Sequence, residues 1–192
     1  MKLPSAVETD LLTTRHGLEA EWAPAGGGAA TKLWLPHLDL GVTRAFTAAG
    51  AAHSWTPSGP GTLTFRGQLD LFQMLPPAIQ PGGAIDWERP PGDMTVTFGS
   101  SRTFSGDPGG AGVASQPAGD GRRRASLTLP APGRVWRPFA LRIAGEGGPL
   151  DFTASWHTEG DPRPREFPLR RFFRPWAQPA EAAPAPAGLT AP

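Results

Sequence analysis

Polar and apolar residues alternate with a period of two over much of this chain. Thr62-Leu63-Thr64-Phe65-Arg66, Met94-Thr95-Val96-Thr97-Phe98 and Ser126-Leu127-Thr128-Leu129 each offer one apolar and one polar face, and Leu150 to Trp156 does so for seven residues. Successive side chains of a strand point to opposite sides, so each segment is expected to be a strand with one face in a core. Val135 to Ile143 reads the same way, with Phe139, Leu141 and Ile143 together on one side; Pro138 lacks a backbone donor, which predicts an edge position or a bulge. Gly17–Trp22 and Lys32–Leu35 are weaker strand candidates.

Helical pattern is scarce. Asp39 to Gly50 is expected to form one short helix, with Asp39 as N-cap and Gly50 as stop, and Gln68 to Leu75 a second, ended by Pro76-Pro77. Residues 105–121, rich in Gly, Ser, Ala and Pro, show no periodicity and are expected to form a mobile loop. Many short strands separated by Gly/Pro turns predict a mainly β protein, an antiparallel β-sandwich with one or two short helices. The expected organisation is an N-terminal extension over 1–13, a sandwich domain over 14–176 and a Pro/Ala-rich disordered tail over 177–192.

Composition sharpens this picture. Among 192 residues are 25 glycines and 24 prolines, which would break a helical bundle. The 18 cations nearly balance 17 anions, and the densest basic run, Arg122-Arg123-Arg124, lacks the broad surplus and interleaved aromatics of a nucleic-acid surface, so no nucleic-acid partner is expected. With no cysteine there is no disulfide, no thiolate nucleophile and no CxxCH attachment of haem, and no cofactor is expected. No apolar run is long enough to cross a membrane as a helix, and Met1–Glu8 has one cation but no apolar stretch behind it, so no signal peptide is read there.

Motifs for chemistry are thin. There is no G-x-S-x-G elbow, and nothing marks a His–Asp pair near Ser100, Ser101 or Ser105. His37, Asp39 and His53 are the candidate metal ligands, because imidazole and carboxylate together suit a divalent ion; against this, Asp39 serves as an N-cap and His37 can simply bond a backbone carbonyl. Asp86-Trp87-Glu88 sets two acids on one strand face, as a glycosidase would need, but equally as a solvated edge paired to Arg89.

The seven tryptophans, with no tyrosine, are the most informative residues. Trp22, Trp34, Trp136 and Trp156 are expected in the core; Trp55 and Trp87 lie in Pro/Gly-rich stretches and are the candidate ligand-stacking residues, with Asp86 and Arg89 as polar anchors.

Gly17-Leu18-Glu19-Ala20-Glu21-Trp22 resembles the opening of PA14-like β-sandwich domains, and Ser126–Leu129, Pro138–Ile143, Leu150–Trp156 and the Pro164–Leu169 tail resemble their closing strands. The resemblance implies carbohydrate recognition or a spacer role in bacterial extracellular proteins; the calcium-binding members carry an Asp-Asp pair, and none occurs here. Trp34–Leu40 with Thr43-Arg44-Ala45, Leu69–Leu71 with Met74–Gly82, and Asp161–Arg165 with Leu169–Phe172 resemble parts of large bacterial haem-binding proteins of the membrane-bound dehydrogenase type. That implies an accessory domain of a periplasmic or cell-surface system, with a cytochrome-containing protein among its partners.

The expectation is therefore a non-catalytic module that docks a glycan or a protein partner through loop aromatics. The alternatives are a structural spacer and a metal-dependent enzyme built on His37, Asp39 and His53.

Overall fold

The strands form wherever alternation lets a segment bury one face, and they assemble into two antiparallel sheets. A computed structural model of the chain describes residues 16–48, 59–71, 74, 78–79, 85–86, 92–130, 136–169 and 171–177. The strands are β1 (Leu18–Pro24), β2 (Thr31–Leu35), β3 (Pro60–Leu69), β4 (Ala78–Ile79), β5 (Ile85–Asp86), β6 (Met94–Ser100), β7 (Phe104–Pro108), β8 (Val113–Ala114), β9 (Gln116–Pro117), β10 (Arg123–Leu129), β11 (Arg137–Glu146), β12 (Thr153–Thr158), β13 (Asp161–Glu166) and β14 (Phe172–Phe173). The larger sheet runs β2-β1-β3-β11-β7-β8, with β14 also on β3; the smaller runs β13-β12-β6-β10-β9, and β4 pairs with β5 separately. The expected β-sandwich is what forms.

The inward rows follow from the register. Ala20, Phe65 and Leu141 lie side by side across β1, β3 and β11, as do Trp22, Leu63 and Ile143, and all six are buried. In the smaller sheet Val96 pairs with Leu127 and Trp156, and Phe98 with Ala125 and Ala154. Between the sheets the Phe152 ring sits 6.0 Å from Phe65, 5.2 Å from Phe104 and 5.9 Å from Phe98, so one side chain touches both layers. Trp22 needs special room: its indole covers the facing pair Gly61 and Gly145, where an added Cβ at either position would lie 2.5 Å from a ring carbon.

The single helix among the described residues, α1 (Leu40–Ala48), starts where expected. Asp39 Oδ1 accepts from Gly41 N–H at 2.7 Å and Val42 N–H at 3.1 Å, and Leu40 N–H donates to Phe152 C=O, which fixes the helix onto the core.

Four expectations are corrected. Gln68 and Leu69 are not the start of a helix but the last two residues of β3, because Leu69 pairs with Arg137 on one side and Phe172 on the other. Pro138 lies neither at an edge nor at a bulge. It sits in β11, an interior strand, tolerated because it lies at the very end of the β7 ladder: its carbonyl accepts from Gly109 N–H at 3.0 Å, and only the return bond of that last pair is lost. Residues 105–121 are not one loop, since β7, β8 and β9 occupy much of the segment. The chain crosses from the larger to the smaller sheet at buried Ser115, whose Oγ accepts from Phe104 N–H at 3.0 Å and Arg123 Nε at 3.1 Å. Trp34, expected in the core, is 37% exposed.

Gly61→Ala is expected to push the new methyl into the Trp22 indole and to destabilise the fold by about 1–3 kcal/mol. Thermal unfolding should show the midpoint lowered by about 2–4 °C for each kcal/mol; an unchanged midpoint would mean the indole has a second resting place.

Candidate binding surface

The outer face of the larger sheet is polar along most of its length and largely neutral. Glu19 and Glu21 of β1 flank Arg66 of β3 at 3.7 and 3.5 Å. Such half-exposed pairs contribute little to stability, but they leave that stretch electrically quiet.

At one end of this face the character changes. β14 docks on β3 beyond the end of β1, on the side that β11 leaves free, with Phe173 opposite Gln68. Gly17 N–H donates to Phe172 C=O at 2.8 Å, and His16 bridges to Phe173. Gly17 has φ 103°, which only glycine adopts at ease, and a Cβ there would meet Leu35 O and the Trp34 ring, both at 3.0 Å. Phe173 stacks on half-buried Trp136 with centroids 3.8 Å apart and meets the tilted His16 ring at 4.6 Å. Arg171 and Asp70 clamp the approach by an ion pair at 3.0 Å and a backbone bond at 3.0 Å.

This anchoring presents the turn Arg174–Ala177. Ala177 N–H closes the turn on Arg174 C=O at 3.0 Å, and the Gln68 amide donates to the carbonyls of Pro175, at 3.1 Å, and Ala177. Ala177, the first residue of the expected tail, is buried. The Arg174 guanidinium carbon lies 3.6 Å over the Trp34 ring and 5.6 Å from that of Trp176, which is 63% exposed. Two indoles and a cation therefore share one surface, held by side-chain bonds rather than free to wander.

Of the candidate metal and ligand-contacting residues named from sequence, His37 and Asp39 are the two whose side chains are described. His37 is fully buried; its Nε2–H donates to Phe167 C=O at 3.1 Å, while Nδ1 accepts from Asp39 N–H at 2.9 Å. Both ring nitrogens are thus occupied by backbone, and Asp39 Oδ1 caps the helix. Among the described residues no three His, Asp or Glu side chains converge as metal ligands. Asp86 lies on β5, paired with Ala78; Trp55, Trp87, Arg89 and His53 lie outside the described residues.

The serines work structurally. Ser100 Oγ donates to Asp151 C=O at 2.6 Å, and Asp151 accepts from Ser101 and from Arg122 at 2.9 Å. Partial burial alone would raise the Asp151 carboxyl, but the bonds from Ser101 and the Arg122 charge outweigh it and hold its pKa below the ordinary value.

No protein-family model matches the chain, and no curated protein matches it in sequence. Among solved structures, an anti-sigma factor domain-containing protein superposes with a TM-score of 0.52 at 10% identity, over 90% of this chain and 50% of that one. This chain thus spans about half the length of that protein, and the similarity is one of fold. The epithelial adhesin 6 A domain from Candida glabrata, solved in complex with Galβ1-3GlcNAc, aligns with a TM-score of 0.47 at 13% identity over 84% of this chain and 87% of its own. No helix among the described residues is long and apolar enough to cross a membrane.

Burial holds the His37 pKa below 6.5, against the Phe167 bond and the Asp39 and Glu166 charges that pull it upward. The unfolded chain therefore takes up this proton more readily than the folded one. The contribution is complete above about pH 6.5 and is lost as pH falls toward the depressed folded value. Urea unfolding from about pH 7.5 to about pH 5.5 should show stability declining, with a shallower decline in His37→Gln. Equal slopes in the two proteins would remove His37 as the cause.

Proposed function

We propose that this chain is a non-catalytic binding module that docks a glycan through aromatic side chains exposed on its surface. The observation that carries the reading is the Trp34–Arg174–Trp176 arrangement, with Trp176 63% exposed on a turn fastened by Gln68. An exposed indole held in place offers a flat apolar plate to the C–H face of a sugar ring, and a neighbouring guanidinium can donate to hydroxyls. Ordering cost is low, because the turn is already fixed before ligand arrives.

Trp55, Trp87, Asp86 and Arg89 stay in the proposal as a second set of candidate contacts. The likeness of the Gly17–Trp22 and Leu150–Trp156 segments to PA14-like domains supports an extracytoplasmic bacterial setting. The likeness to membrane-bound dehydrogenase-type proteins adds a cytochrome-containing assembly as one such setting.

Retention on a panel of immobilised neutral and acidic polysaccharides tests the reading. Trp176→Ala is expected to weaken binding about tenfold or more, as loss of an aromatic anchor does, without lowering the unfolding midpoint. Gln68→Leu should weaken it too, by freeing the turn. The Trp55→Ala, Trp87→Ala double variant reports separately on the second contact set. A wild-type protein retained on no member of the panel leaves the domain as a structural spacer.

A further inference from the structure

The charge on Arg174 narrows the ligand class. Resting on the docking surface argued above, we propose that the Trp34–Arg174–Trp176 site takes a carboxylated sugar, a uronate unit of an acidic polysaccharide, with its ring on Trp176 and its carboxylate on the Arg174 guanidinium.

Most described arginines are already committed. Arg66, Arg102, Arg122, Arg124, Arg163, Arg165 and Arg171 each face a carboxylate. Arg123 is bonded to Ser115. Arg102 and Arg171 carry a buried Nε without an acceptor, yet their terminal nitrogens are bonded, Arg102 to Glu146 and Gly147 and Arg171 to Asp70. Arg137 and the exposed Arg142 also have no such partner among the described residues, but Arg174 is set apart by its seat on Trp34 and by a buried Nε without an acceptor, and its guanidinium makes no hydrogen bond or ion pair with any described residue. The nearby acids do not supply one, since Glu19, opposite Trp34 in the register, and Glu21 both face Arg66.

A half-buried cation with unmet donors is what an anion stabilises. Contact with the Trp34 ring at 3.6 Å holds the guanidinium in place before a carboxylate arrives, and a guanidinium can meet a planar carboxylate with two donors. Burial also pulls the Arg174 pKa downward, the direction a bound anion would reverse. An acidic side chain of a protein partner would satisfy the charge but leave the open Trp176 indole bare. A pyranose stacked there fills the plate and projects its ring substituents toward the guanidinium, 5.6 Å from the ring centre.

Calorimetric titration of the full chain tests this with five probes: oligogalacturonate, oligomannuronate, the methyl ester of each, and polyglutamate, which has the charge without the ring. At least one uronate is expected to bind, its ester about ten- to a hundredfold more weakly, and polyglutamate more weakly still. Arg174→Gln should erase the preference for acid over ester, while Trp176→Ala should weaken both forms and leave the preference standing. Equal affinity for acid and ester, or a preference that survives Arg174→Gln, overturns the carboxylate assignment. So does binding of a neutral glycan alone, although that outcome leaves the docking surface intact. Polyglutamate binding as tightly as the uronates overturns it in favour of an acidic protein partner. Failure of every glycan, neutral ones included, removes the docking reading along with it.

Discussion

The sandwich hangs on the side chain of Phe152. Its ring meets Phe65 and Phe104 of the larger sheet and Phe98 of the smaller one, and its carbonyl receives the first free N–H of α1. Neither sheet could bury its apolar rows without the other, and this residue sits where the rows meet. Truncating a buried phenylalanine costs about 3–5 kcal/mol, a large part of the roughly 5–15 kcal/mol that holds a domain together. The small size of Ala20, Ala125 and Ala154 in the same rows lets Trp22, Trp156 and the phenylalanines interleave, so aromatic volume makes up for the scarcity of Ile and Val.

The binding surface is a product of that sandwich rather than an addition to it. The inward row that ends in Leu69 places Phe172 inside, against Phe139, Phe167 and His37, and alternation then turns Phe173 outward onto Trp136. Arg174 and Trp176 follow directly. His37 supports the same region from beneath, its ring edge-on to Phe172 and its Nε2–H on Phe167. Thus the histidine read as a candidate ligand helps to seat the chain that carries the exposed tryptophan.

Strand existence was legible because alternation is local: residues 62–66, 94–98 and 126–129 all fall within strands, and Asp39 caps the helix it precedes. The misreadings share a cause in long-range pairing. Pro138 is harmless only because β7 ends at Pro108, some thirty residues earlier in the chain. Residues 105–121 hide their strands because Gly106 lies flat against Leu141 and contributes no side chain to a pattern. Gln68 and Leu69 gain a second partner from residues 172–173. Trp34 reads as a core residue only by its aromatic bulk; Leu33 and Leu35 take the inner face and alternation leaves it outside. Arg174 and Trp176 gave no signal of their own, since Gln68, more than a hundred residues away, makes their turn a fixed feature.

Such a turn has a mechanical consequence. β14 holds β3 through two residues, and the turn beyond it is fastened by one glutamine amide and one buried alanine. Tension applied to the chain beyond Ala177 would load these few bonds one after another, as a zipper is opened, whereas β3 and β11 share ten paired residues. The aromatic surface would therefore come apart while the sandwich stayed folded. Grip on a ligand and integrity of the domain fail at different forces, and the weaker element resets by simple redocking once the load is gone.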